Sequence, residues 1–104
     1  MSIKELSPAE TAILLAAGTI QLVDVREPAE FAAEHIAGAI SMPLSRFNPA
    51  ELKLRPGVEP VFQCGIGKRS RMALDKCAQL GFPHATHLAG GLAAWKAANL
   101  PTTR

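Results

Sequence analysis

No apolar run in this sequence approaches the ~20 residues that a membrane-spanning helix needs. No basic stripe is present either. The formal net charge is only +2, and the one basic cluster, Lys68-Arg69-Ser70-Arg71, is short. A dedicated nucleic-acid surface is therefore not expected. There is no internal repeat, linker or low-complexity segment. The start, Met1-Ser2-Ile3-Lys4-Glu5-Leu6, lacks the apolar core of a signal peptide and carries an acid early. The expected location is the cytoplasm, with no membrane association.

Cysteine is scarce, at two residues. In a reducing compartment both are expected as free thiols. A helix opening near Arg69 would carry Cys77 roughly 12 Å from Cys64 at ~1.5 Å per residue. A disulfide requires Cα atoms within ~7 Å. Cys77 shares a helical face with Ala73 and Leu80 and is expected in the core. Hydrophobic content of 48% against 19% charged residues suits a globular chain, and 104 residues suit one domain spanning 1–104.

The pattern alternates helices with short apolar strands. Ser7-Pro8-Ala9-Glu10 is a capping-box helix start, with Ala12, Ile13, Ala16 and Ala17 as its apolar face and Gly18 as its stop. Ile20-Gln21-Leu22-Val23-Asp24-Val25 reads as a strand of the largely apolar kind found in parallel sheets. Pro28 opens a short helix to Glu34, and 35–40 turns into a second short strand ended by Pro43. Phe47, Leu52 and Leu54 predict one or two short docked helices before the turn at Pro56-Gly57. A strand through Val61-Phe62, a helix to about Leu80, a strand over 85–88 and a helix over 92–98 follow. This order predicts a three-layer α/β/α domain with a mainly parallel sheet.

The chain is organised around Val61-Phe62-Gln63-Cys64-Gly65-Ile66-Gly67-Lys68-Arg69-Ser70. It reads as a buried strand, a tight loop and a helix start. Gly65 and Gly67 allow backbone angles that let successive N–H groups turn inward as an anion nest. The helix start adds free N–H groups and the positive end of its dipole. Cys64 sits at the mouth of this cradle with Lys68 and Arg69 close in sequence. All of these favour the thiolate, the nucleophilic form. Ile66 and Lys68 are expected to face outward. Arg69 has two readings, binding the oxygens of an anionic ligand or pairing with an acid to fix the loop. Ser70 either caps the helix or donates a hydrogen bond to the group held in the cradle.

Asp24 and Arg26, at a strand end, either line the pocket or brace the next helix, with Arg26 reaching Glu30 or Glu34. The bracing role is favoured. His35 is expected to be structural. His84 and His87, three apart on a strand, would face opposite sides and make poor joint metal ligands. No metal site is expected. Gly90-Gly91 marks either a close approach to the Cys64 loop or a plain turn, and Trp95 is expected in the core.

Three stretches of this sequence resemble the rhodanese homology domain in its single-domain form. They are Asp24-Val25-Arg26-Glu27 with Glu30-Phe31 and His35-Ile36-Ala37-Gly38-Ala39; Cys64-Gly65-Ile66-Gly67-Lys68-Arg69-Ser70; and Leu88-Ala89-Gly90-Gly91 through Trp95 to Pro101. The resemblance implies a five-stranded, mostly parallel sheet and sulfurtransferase activity. Cys64 would take a sulfur from an anionic donor such as thiosulfate. It would carry that sulfur as a persulfide and pass it to cyanide or to a thiol such as glutathione or thioredoxin. No cofactor is implied.

Other readings of the loop are a cysteine phosphatase, a sulfur relay between proteins, and a binding module on the same fold. The phosphatases similar to this fold carry a loop one residue longer between Cys and Arg. Here four residues, Gly65 to Lys68, separate Cys64 from Arg69. Binding modules typically lose the cysteine, which is present here.

Overall fold

The computed structural model describes residues 2–104; Met1, the first residue of the domain span read above, lies outside the described residues. The elements in chain order are β1 (Lys4–Leu6), α1 (Pro8–Ala17), β2 (Ile20–Asp24), α2 (Pro28–Ala33), β3 (Ile40–Ser41), β4 (Glu59–Gln63), α3 (Lys68–Gln79), β5 (Thr86–Leu88) and α4 (Gly91–Ala97). Two 3₁₀ turns, Leu44–Arg46 and Pro49–Glu51, fill the stretch before β4. The five strands form one parallel sheet in the order β1-β5-β4-β2-β3. No helix among the described residues is long and apolar enough to cross a membrane.

Local chemistry sets the helix ends. The Ser7 Oγ accepts from the Glu10 N–H at 3.1 Å, and Glu10 Oε1 accepts from the Ser7 N–H at 2.9 Å. Gly18 closes α1 at φ 75°, a left-handed conformation that glycine takes without a steric cost. The buried side of α1 is Thr11, with Ala12, Leu14 and Leu15 packed on the core, so the expected apolar face is corrected. Ile13 is exposed and Ala16 and Ala17 are also on the outside. Packing on the sheet selects the Leu14–Leu15 side because it buries larger side chains.

Strand alternation divides the core into two layers. Leu22, Val61 and Leu88 face one side with Ile36, Leu92 and Trp95, beneath α1 and α4. Val23, Phe62 and Cys64 face the other with Phe47, Ala73, Leu74 and Cys77, beneath α3 and the 3₁₀ turns. Burying each large side chain in these layers contributes about 1.5–3 kcal/mol. Cys77 and Ala73 occupy the expected face of α3, whereas Leu80 is exposed because the helix ends at Gln79.

β1 has no counterpart in the element-by-element reading of the sequence. Two of its three residues are exposed charges, so no apolar run marks it. Its strand character comes from pairing with β5, where Glu5 lies opposite His87 and Leu6 opposite Leu88.

The topology places one crevice. After β2 the chain moves outward to β3, then returns to β4 on the other side of β2 and continues to β5. The direction of winding reverses between β2 and β4, whose last residues, Asp24 and Gln63, are paired. Beyond the carboxyl ends of strands at such a reversal is where open α/β sheets place their sites. The residue after Gln63 is Cys64.

Candidate active site

Cys64 directly follows the central strand β4 and is fully buried. Its sulfur accepts the Gly67 N–H at 3.1 Å and the Ser70 N–H at 3.3 Å, and it lies 3.7 Å from the Ser70 hydroxyl. Gly67, at φ 106°, is the N-cap of α3 and turns the chain so that these groups converge. Gly65 has no positive φ, so only Gly67 supplies the backbone freedom expected of both.

Burial pushes the Cys64 thiol up. The Ser70 N–H and hydroxyl, with the Gly67 and Ile66 N–H groups, outweigh that effect and hold it below its ordinary value. Cys77 is buried with only its own backbone N–H as a donor, and its thiol is pushed up to about 11. Both cysteines are free.

The Arg69 side chain points to Glu30 on α2. Its fork makes contacts of 2.7 and 3.1 Å with the two carboxylate oxygens. The Arg69 hydrogen bond, followed by the Glu27 N–H, lowers Glu30 to about 2. Of the two readings of Arg69, the acid pair that fixes the loop is the one observed. Ile66 on the loop and Lys68 at the first position of α3 are both exposed, as expected. Ser70 is not the helix cap, because Gly67 takes that position. It stands one turn in, fully buried, with its hydroxyl 3.1 Å from the Gly67 carbonyl.

Asp24 and Arg26 form a buried pair behind the site. The Arg26 Nη2 lies 2.8 Å from Asp24 Oδ2, and its Nε lies 3.1 Å from both Asp24 oxygens. Arg26 also donates to the backbone carbonyl of Glu34 at 2.6 Å. It thus braces the end of α2 through a main-chain oxygen, not through the Glu30 or Glu34 carboxylate anticipated from sequence. His35 stacks on Phe31 and engages its carbonyl at 2.7 Å.

The Gly90-Gly91 corner approaches the Cys64 loop closely. The Leu92 N–H donates to the Cys64 carbonyl at 2.8 Å, and the Ala93 N–H to the Gly65 carbonyl at 2.9 Å. A Cβ on Gly91 would stand 2.3 Å from the Cys64 carbonyl oxygen. The first turn of α4 therefore holds the back of the loop while the loop's own N–H groups face the sulfur.

Sequence reasoning gave no role at this site to two residues of the neighbourhood, Glu5 and His87. His87 is buried on the α3 side of β5, with Nδ1 2.8 Å from the Ser70 hydroxyl and Nε2 3.0 Å from Glu5 Oε2. His84, in the loop before β5, lies beside Phe62 and Phe82 instead. Alternation in β5, with Leu88 in the opposite core, was the available signal for the direction of His87. The pairing of β1 beside it was not visible.

A rhodanese-like domain model matches residues 7–98. An uncharacterised protein of Synechocystis is 43% identical over 94% of the chain, which spans 60% of that protein's length. The human thiosulfate:glutathione sulfurtransferase is 34% identical, with 79% of the chain and 84% of the relative covered. Among solved structures, a rhodanese-related protein from Thermoplasma volcanium superposes with a TM-score of 0.81 at 25% identity, covering 96% of this chain and 97% of its own. The chain belongs to the rhodanese family.

Proposed function

We propose that the protein is a sulfurtransferase that carries a sulfane sulfur as a persulfide on Cys64. The observation that carries this reading is the convergence of the Gly67 and Ser70 donors on one buried sulfur whose thiol lies below its ordinary value. A sulfur ringed by donors is prepared to hold negative charge, first as thiolate and then as persulfide anion.

In the first step the Cys64 thiolate attacks the outer sulfur of thiosulfate. The bond from that sulfur to the sulfonate breaks, and sulfite leaves with the electron pair. In the second step an acceptor thiolate, such as that of glutathione or thioredoxin, attacks the outer sulfur of the persulfide. The sulfur–sulfur bond breaks and Cys64 leaves as thiolate. No metal or organic cofactor takes part. Exposed Lys68 draws the dianionic donor toward the loop, while Arg69 holds the loop's shape through Glu30. Asp24 and Arg26 support the site from behind. The human relative's name, thiosulfate:glutathione sulfurtransferase, supports this choice of donor and acceptor. Chemistry that alternates between free thiol and persulfide suits a reducing compartment such as the cytoplasm.

Initial-rate kinetics with thiosulfate and glutathione test this reading. A persulfide intermediate predicts parallel lines in double-reciprocal plots, because sulfite leaves before the acceptor reacts. Intersecting lines would contradict it.

A further inference from the structure

Four side chains form a line from the surface to the candidate nucleophile: Glu5 on β1, His87 on β5, Ser70 on α3 and Cys64 at the end of β4. The successive separations are 3.0, 2.8 and 3.7 Å. A carboxylate has no proton to give, so the neutral ring carries its proton on Nε2, facing Glu5. Nδ1 is then a bare acceptor beside the Ser70 hydroxyl. That hydroxyl has one proton and three neighbours able to accept it: the Gly67 carbonyl, His87 Nδ1 and the Cys64 sulfur.

We propose that His87 is a positioning residue of the sulfur-transfer reaction, holding through Ser70 the proton that Cys64 gives up on becoming a thiolate. The inference rests on the reading of Cys64 as the nucleophile. The S–H proton passes to the Ser70 oxygen as the serine's own proton passes to His87 Nδ1. Serine ends unchanged, the thiol becomes a thiolate and the imidazole an imidazolium, so charge balances within the chain. Nδ1–H now donates to Ser70, and the Ser70 O–H donates to the sulfur. The charged groups facing the ring are Glu5 directly, Arg71 of α3 at 3.6 Å from Glu5, and Cys64 through Ser70. Glu5 is half-exposed, so its carboxylate faces the imidazolium while staying in contact with water.

A merely structural His87 would tie β1, β5 and α3 together, and any side chain with the same hydrogen bonds would serve. Holding a proton requires a ring that titrates. His87→Gln separates the two, because an amide offers Ser70 an acceptor and Glu5 a donor but takes up no proton.

The test is the ultraviolet absorbance of the thiolate followed against pH. The protein has no tyrosine to overlap this signal. Cys77 titrates only near about 11, and subtracting Cys64→Ser isolates Cys64. His87→Gln is expected to raise the midpoint of the Cys64 thiolate titration by about one pH unit, a tenfold change in its ionisation constant. On a Ser70→Ala background, His87→Gln is expected to change nothing further, because the link is already cut. An unmoved midpoint in His87→Gln, or a shift that persists in full without Ser70, would overturn the proposal. Should His87→Gln fail to fold, Glu5→Gln decides: the proposal expects a smaller shift in the same direction, and no shift overturns it. The readout needs no sulfur donor. A shift without persulfide formation keeps the linkage and removes sulfur transfer, and persulfide formation without a shift does the reverse.

Discussion

Two cysteines in one fold, both buried, are shifted in opposite directions by what surrounds their sulfurs. Cys77 lies among apolar side chains of the α3 core and is pushed up to about 11. Cys64 meets donors from Ser70, Gly67 and Ile66 and is held below its ordinary value despite burial. Behind it, Asp24 and Arg26 are almost wholly buried and satisfy one another. Removing one partner of such a pair leaves a buried charge uncompensated, which costs about 3–5 kcal/mol. Asp24→Ala is therefore expected to lower the unfolding free energy by about that much in a denaturant titration. Activity per folded molecule is expected to fall far less, and a stable protein with lost turnover would contradict the bracing role. The Cys64 loop was legible at this scale because its residues are adjacent in sequence and their spacing implies a turn into a helix. The direction of the Arg69 side chain was not, since Glu30 lies 39 positions away. His87 was weighed in sequence only as a metal ligand, because Glu5 lies 82 positions away across a strand pairing that no local pattern announces.

Among the elements, the helices were the readable part. Ser7-Pro8-Ala9-Glu10 and Gly18 encode the two ends of α1 by local hydrogen bonding, and both ends were found where the chemistry put them. β1 and the exposed β3 were harder to read. A strand of two or three residues takes its identity from a neighbour more than from its own side chains. The element contact that matters most for the site is α4 against the Cys64 loop. Sequence left Gly90-Gly91 open between a plain turn and a close approach, and the backbone contacts decide for the approach. Gly91→Ala puts a Cβ against the Cys64 carbonyl oxygen at a φ of 59°. The left-handed conformation alone costs about 1–3 kcal/mol, and the clash adds to it. The variant is expected to unfold at lower temperature and to lose sulfur-transfer rate as the loop shifts. A thermal midpoint equal to the wild type would show that the approach is not tight.

At the scale of the whole molecule, parallel strands, two apolar layers and the winding reversal between β2 and β4 set the position of the site before any catalytic residue is considered. Alternating helices and apolar strands made the three-layer arrangement legible, and the resemblance of three spaced motifs gave the number of strands. The strand order was the missing piece, and with it the line from Glu5 to Cys64. The net charge of +2 gives the molecule no strong overall field, so the anionic donor proposed above would be drawn by groups at the loop itself. The most direct measurement is the intact mass after treatment with thiosulfate in the absence of reductant, on the native protein and on Cys64→Ser. The account predicts a gain of one sulfur atom, about 32 Da, on the native protein alone, the mark of a covalent intermediate on its nucleophile. No gain on the native protein, or an equal gain on Cys64→Ser, would contradict it.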